Sequence, residues 1–149
     1  MKLSEHFDLV EFTKSQTALR RGIANVPNDA QVASMRLLCE KVLEPVRAHF
    51  KAPIRISSGF RSLALNKAMC GATSSQHSKG EAADFEIPGV DNVQVARWMQ
   101  QKLNYDQLIL ECHTPGQANS GWIHVSYREP YRNQELTFDG RHYMPGLVA

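Results

Sequence analysis

Apolar residues recur at helical spacing from Ala30 to Phe50, at Val32, Met35, Leu38, Val42, Val46 and Phe50. That period predicts one long scaffold helix with a single buried stripe. Asn28 and Asp29 stand where a helix start needs side-chain acceptors for its free N–H groups. Pro45 predicts a kink, because it has no N–H to return to the preceding turn. Upstream, Phe7 to about Ser15 reads as a short helix with Phe7, Val10 and Phe12 as core contacts, broken at Arg20-Arg21-Gly22-Ile23. Beyond Pro53 the period changes to that of short strands: Ile54–Ser57, Ala82–Ile87, Gln107–Glu111 and Trp122–Tyr127. Residues 62–69 read as a short helix. Asp91 can cap another that runs to about Leu103, with Val95, Trp98 and Met99 on one side. Gly71–Gly80 and Thr114–Gly121 read as loops, and 128–149 as irregular apart from a short strand at Leu136–Phe138. Helices first, then strands interleaved with one helix, predict an α+β fold: a small, mostly antiparallel sheet with helices packed on one face.

A length of 149 residues suits one domain, 1–149, and 42% hydrophobic residues can form a core without metal or disulfide staples. Any metal is therefore expected to serve function before folding. The charge is nearly balanced, 17 basic against 15 acidic residues, which argues against nucleic acid as a partner. Cys39, Cys70 and Cys112 are too few and too scattered for a disulfide framework or a paired-cysteine zinc site, and read as buried or partly buried thiols of a reducing compartment. Glu5 and Asp8 interrupt the stretch where a signal peptide needs an apolar run. No segment approaches the roughly 20 apolar residues of a membrane span. The expectation is a chain made and kept in the cytoplasm unless another agent releases it.

Chemistry concentrates in two segments. In Ser74-Ser75-Gln76-His77-Ser78-Lys79-Gly80-Glu81-Ala82-Ala83-Asp84, a loop histidine leads into a strand aspartate. Alternation sends Ala83, Phe85 and Ile87 toward the helices and Asp84 to the open face, beside small Ala82. In Gly121-Trp122-Ile123-His124-Val125-Ser126-Tyr127, His124 shares one face with Trp122 and Ser126. If these strands pair, Asp84 and His124 stand side by side. Two imidazoles and a carboxylate suit tetrahedral zinc with a fourth position open to water, on the open face of the sheet. Zinc there would polarise a peptide carbonyl and bring water's pKa toward about 7.

The order Ser75-x-His77-x-x-Gly80-x-Ala82-x-Asp84, the later His124 and the upstream Ser58-Gly59-Phe60-Arg61-Ser62 resemble the zinc D-Ala-D-Ala carboxypeptidases and murein endopeptidases. These are peptidase M15-like members of a wider group that includes D-alanyl-D-alanine dipeptidases and the hedgehog signalling domain. The motif-bearing core covers about residues 54–127. Leu9-x-Glu11-Phe12 through Arg21-Gly22-Ile23 also resembles small phage-encoded members. The resemblance implies that His77, Asp84 and His124 hold one zinc ion per chain. It also implies that Arg61, with its fixed and permanently charged donors, holds the substrate carbonyl and stabilises the oxyanion that forms there. Ser75 is expected to bind substrate, to orient His77, or simply to serve as a turn serine.

Relatives often carry an acid or a histidine two or three positions before the last zinc histidine, where this chain has Trp122 and Gly121. Glu111 is the substitute general base, because alternation on Gln107–Glu111 turns it away from Leu108 and Leu110. His113 is the rival; Glu81 and Glu86 fit less well. Trp98 reads as core, Trp122 as core or groove lining, and His6, His49 and His142 as surface residues. Arg20 and Arg21 read as a solvated face. The resemblance implies zinc-dependent hydrolysis of peptidoglycan stem peptides, by carboxypeptidase or endopeptidase action, in a phage or prophage lysis enzyme. The alternatives are a non-catalytic zinc module on the same frame, and a metal-free reading in which the histidines and aspartate are structural.

Overall fold

The computed structural model describes residues 1–71 and 75–148, so Ser74 and part of the predicted Gly71–Gly80 loop lie outside the described residues. The N-terminal predictions need correction. Helix α1 is only Leu9–Thr13, started by a capping box between Asp8 and Glu11. A further helix, α2 (Gln16–Arg21), begins at Ser15 and ends at Gly22 in the left-handed conformation. The chain therefore breaks first at Lys14, because Ser15 supplies a fresh cap, and again at Gly22, inside the predicted Arg20–Ile23 break. In so short a helix only one side meets the core: Phe12 is buried, as is Phe7 just before the Asp8 cap, whereas Val10 is 62% exposed.

The scaffold helix forms as its pattern predicts, but in three pieces. Helix α3 (Asp29–Leu38) starts with a capping box between Asn28 and Gln31. A π-helical stretch, Cys39–Leu43, follows, and then α4 (Glu44–Phe50). Pro45 has no N–H to give to the carbonyl of Lys41, and the wider turn just ahead of it absorbs the missing bond. Met35, Leu38, Val42 and Val46 are fully buried along this rod, each adding roughly 1.5–3 kcal/mol of apolar burial.

After β1 (Arg55–Ser58), Ser62 caps α5 (Leu63–Ala68). A short 3-10 turn, Gln76–Lys79, leads into β2 (Ala82–Glu86). Asp91 caps α6 (Asn92–Lys102), and β3 (Gln107–Glu111) and β4 (Trp122–Ser126) follow. The tail is more regular than its sequence predicts: β5 spans Gln134–Phe138 and β6 spans Tyr143–Pro145. The sheet has the order β1-β2-β4-β3-β5-β6. Every neighbouring pair is antiparallel except β3 and β5. Ala83, Phe85, Leu108, Leu110, Ile123 and Val125 all face one core together with α3, α4 and α6. The opposite face is left for chemistry.

Some smaller expectations change. Trp98 is only partly buried and stacks on exposed His49, with ring centroids 4.3 Å apart. Of the three free thiols, Cys39 is buried and Cys112 half-buried, but Cys70 is exposed. No helix among the described residues is long and apolar enough to cross a membrane.

Candidate metal centre

Register brings the site together. Asp84 on β2 lies directly opposite His124 on β4, and Ile109 on β3 is the partner of His124 on its other side. Ala83, Phe85, Ile123 and Val125 anchor the far face, so Asp84 and His124 must point the other way. His77 reaches them from the 3-10 turn above β2. That turn ends at Gly80 (φ +75°), where a Cβ would sit 2.5 Å from the carbonyl oxygen of Gln31 on α3. Only glycine allows the turn to press this closely on the scaffold helix. The side chain of Ser75 accepts a hydrogen bond from the His77 N–H at 3.3 Å and so caps the turn.

One donor atom each from His77, Asp84 and His124 lie within 4.8 Å of one another. His124 Nδ1 is 3.0 Å and His77 Nε2 3.5 Å from the same carboxylate oxygen, Asp84 Oδ1. All three side chains are nearly buried, with 5%, 13% and 11% exposure for His77, Asp84 and His124. Burial opposes ionisation of Asp84, but hydrogen bonds from His124 and His77, and their charge, outweigh it and hold the carboxyl far below the usual range. His77 Nδ1 lies 2.7 Å from the Gly59 carbonyl, which accepts its proton, so Nε2, the nitrogen that faces Asp84, is the one that would hold an ion. Two imidazoles and an ionised carboxylate converging in a sheltered place are a donor set that fits a divalent ion such as zinc.

The other predicted residues gather around this triad. Arg61, Ser75, His77, Asp84, Glu111, Trp122 and His124 line one cleft of about 390 Å³. Glu111 Oε2 lies 4.0 Å from His124 Nδ1 and accepts a 3.1 Å hydrogen bond from the indole N–H of Trp122, its cross-strand neighbour. Burial raises the Glu111 pKa first and the Asp84 charge second, against His124, Trp122 and Arg61, which lower it; the net shift is upward. Gly121 has φ +68°, and a Cβ there would sit 2.0 Å from the Glu111 carbonyl oxygen. An acidic side chain cannot occupy position 121, and the carboxylate beside the triad comes from β3 instead.

Arg61 is set by its neighbours. Its own N–H donates to the His77 carbonyl at 3.2 Å. Asn25 donates to the Phe60 carbonyl at 3.0 Å and accepts from the Ser62 N–H at 2.7 Å, clamping the chain on both sides of Arg61. The Arg61 Nε is buried and has no hydrogen-bond partner among the described residues, which leaves a donor for a ligand.

His113, the rival to Glu111, turns toward Ser120, with Nδ1 3.3 Å from its carbonyl and hydroxyl oxygens, and is not among the residues lining the cleft. Glu86 pairs with Arg55 at the sheet edge, and Glu81 is also outside the cleft lining. Sequence reasoning missed Gln76, Gln107, Ile109 and Tyr143 as lining residues. Gln107 and Ile109 share the strand face of Glu111, so alternation alone could have named them. Tyr143 could not have been found, because it depends on β6.

Comparison with known proteins agrees with this geometry. The family model described as peptidase M15 matches residues 5–126, which contain the whole triad, Arg61 and Glu111. The comparison with curated proteins returns no match. With that match over most of its length, and a cleft whose donors can hold an ion, the chain belongs to the peptidase M15 family of metal-dependent peptidases.

Proposed function

We propose that the chain is a zinc peptidase that hydrolyses peptide bonds in peptidoglycan stem peptides. The observation that carries this reading is the meeting of His77, Asp84 and His124 with Glu111 and Arg61 around one cleft. A divalent ion held by the triad supplies Lewis acidity, polarising a carbonyl and acidifying water. The protein supplies the rest. Glu111, more basic than an ordinary carboxylate and oriented by Trp122, takes the proton of the attacking water and passes it to the leaving amine. Arg61 offers its guanidinium to the oxygen on which charge develops. The near-burial of His77, Asp84 and His124 limits solvent at the floor of the cleft, which strengthens the interactions made there.

A second groove of about 560 Å³ adjoins the cleft and shares Arg61 with it. Lys14, Ser57 and Ser58 also line it. Room for the chain beyond Arg61 favours endopeptidase over carboxypeptidase action.

Defined muropeptides incubated with the zinc-loaded protein, followed by mass spectrometry, test this. Cleavage that stops on chelation and returns with zinc supports the reading. Zinc bound with no cleavage of any muropeptide would instead favour the non-catalytic module, the reading that Gly121-Trp122 keeps open.

A further inference from the structure

We propose that Gln76, oriented by Asp106, is a positioning residue that selects which ring nitrogen His124 offers to the metal. The inference rests on the metal reading above and goes beyond it, because it assigns a task to residues outside the triad.

The argument is one of donors and acceptors. Asp106 is fully buried, at 0% exposure. Arg132 grips it with two parallel bonds, Nε to Oδ1 at 2.8 Å and Nη2 to Oδ2 at 2.8 Å. The Arg132 backbone N–H adds a third at 3.2 Å, and Arg128 Nε lies 3.5 Å from Oδ2. A carboxylate facing two guanidinium groups is ionised and can only accept. Gln76 Nε2 lies 2.7 Å from Asp106 Oδ2. The amide must therefore present its NH₂ to Asp106, since the reverse orientation would set two acceptors against each other. That choice turns Gln76 Oε1 toward His124 Nε2, 3.3 Å away. An amide oxygen only accepts, so His124 must carry a proton on Nε2. Nδ1, which here donates to Asp84 Oδ1 at 3.0 Å, is then the nitrogen whose proton an ion would replace, and it is the one nearest Glu111.

His77 is held in the opposite sense. The Gly59 carbonyl takes its Nδ1 proton and leaves Nε2. The two imidazoles thus offer different nitrogens, one selected by a backbone carbonyl and the other by a side-chain relay. The relay ends on Arg128 and Arg132, which lie beyond the span 5–126 that matches the family. This assigns the tail a part in building the centre, although Arg128 and Arg132 do not line the cleft.

The test uses the full chain, zinc, and the variants Gln76→Met and Arg132→Gln. Methionine keeps the length of the side chain and removes the acceptor. Arg132 is 48% exposed in its side chain, so its replacement leaves a second readout if Gln76→Met fails to fold. In the zinc-loaded wild type, long-range ¹⁵N–¹H correlation spectra should show His124 with Nε2–H and metal on Nδ1, and His77 with the reverse. Competition with a chelator should show zinc affinity reduced about 10–100-fold in Gln76→Met, the range for losing an outer hydrogen-bond partner of a metal ligand. Arg132→Gln should show a smaller loss in the same direction. Zinc bound through His124 Nε2, or an affinity unchanged in both folded variants, overturns the inference and leaves the metal reading standing. A wild type that takes up no zinc overturns both.

Discussion

Glu111→Gln isolates proton transfer from metal binding. The substitution keeps side-chain length and volume, and the new amide oxygen can still accept the 3.1 Å bond from Trp122. His77, Asp84 and His124 are untouched, so zinc should stay near one equivalent per chain. What is lost is the proton acceptor. General-base removal costs about 10²–10⁴ in rate, which at 1.36 kcal/mol per decade is about 2.7–5.4 kcal/mol in the barrier. The structure adds a second, opposite effect on stability. The ionised Glu111 is disfavoured by burial and by Asp84, so the wild-type protein forfeits stability as pH rises above the ordinary carboxylate range. Glutamine does not titrate and is spared this loss. The metal-free variant should be no less stable than wild type at pH 7, and relatively more stable there than at pH 4. Rates on a defined muropeptide, zinc content by elemental analysis, and thermal unfolding after chelation measure these effects separately. A variant with full zinc and a rate within about tenfold of wild type would refute Glu111 as the base.

Other expectations follow from the same geometry. His77→Ala and His124→Ala should each reduce bound zinc below about a tenth of an equivalent in a protein that otherwise binds it tightly, and both should abolish hydrolysis. Gly121→Ala combines a left-handed backbone with a Cβ set 2.0 Å from the Glu111 carbonyl; strain and overpacking together should lower stability by about 2–5 kcal/mol in denaturant titration, and an unchanged midpoint would contradict the close approach. Asp106 is held below the usual carboxylate range, chiefly by the Arg132 hydrogen bonds, against burial. Its folded pKa is the lower one, so its contribution is complete above the unfolded value near 3.9 and is lost as pH falls through the folded value. Asp106→Asn should therefore flatten the fall in stability below about pH 4, as read by thermal melts across pH.

Much of the fold and of the centre was legible in the residues alone, because both rest on local periods. The stripe Met35, Leu38, Val42, Val46 on the scaffold helix and the alternation through Ala83, Phe85, Ile123 and Val125 each need only a repeat and a core. Once one face of β2 and β4 is apolar, Asp84 and His124 have nowhere to point but the other. A capping side chain, such as Asn28 or Asp91, is also local. Relations between distant segments carry no such mark. The parallel addition of β5 to β3, and β6 bringing Tyr143 to the cleft, depend on which edge the tail meets after the core has formed. Pairing Glu111 with the Trp122 indole needed the β3–β4 register. The partners of Gln76 are 30 and 48 residues away along the chain, and an amide has no period to betray its orientation. The sequence by itself determined which face would carry Asp84 and His124. Only the tertiary structure decided what stands behind them, because hydrogen-bond complementarity exists only between groups that folding has already brought within reach.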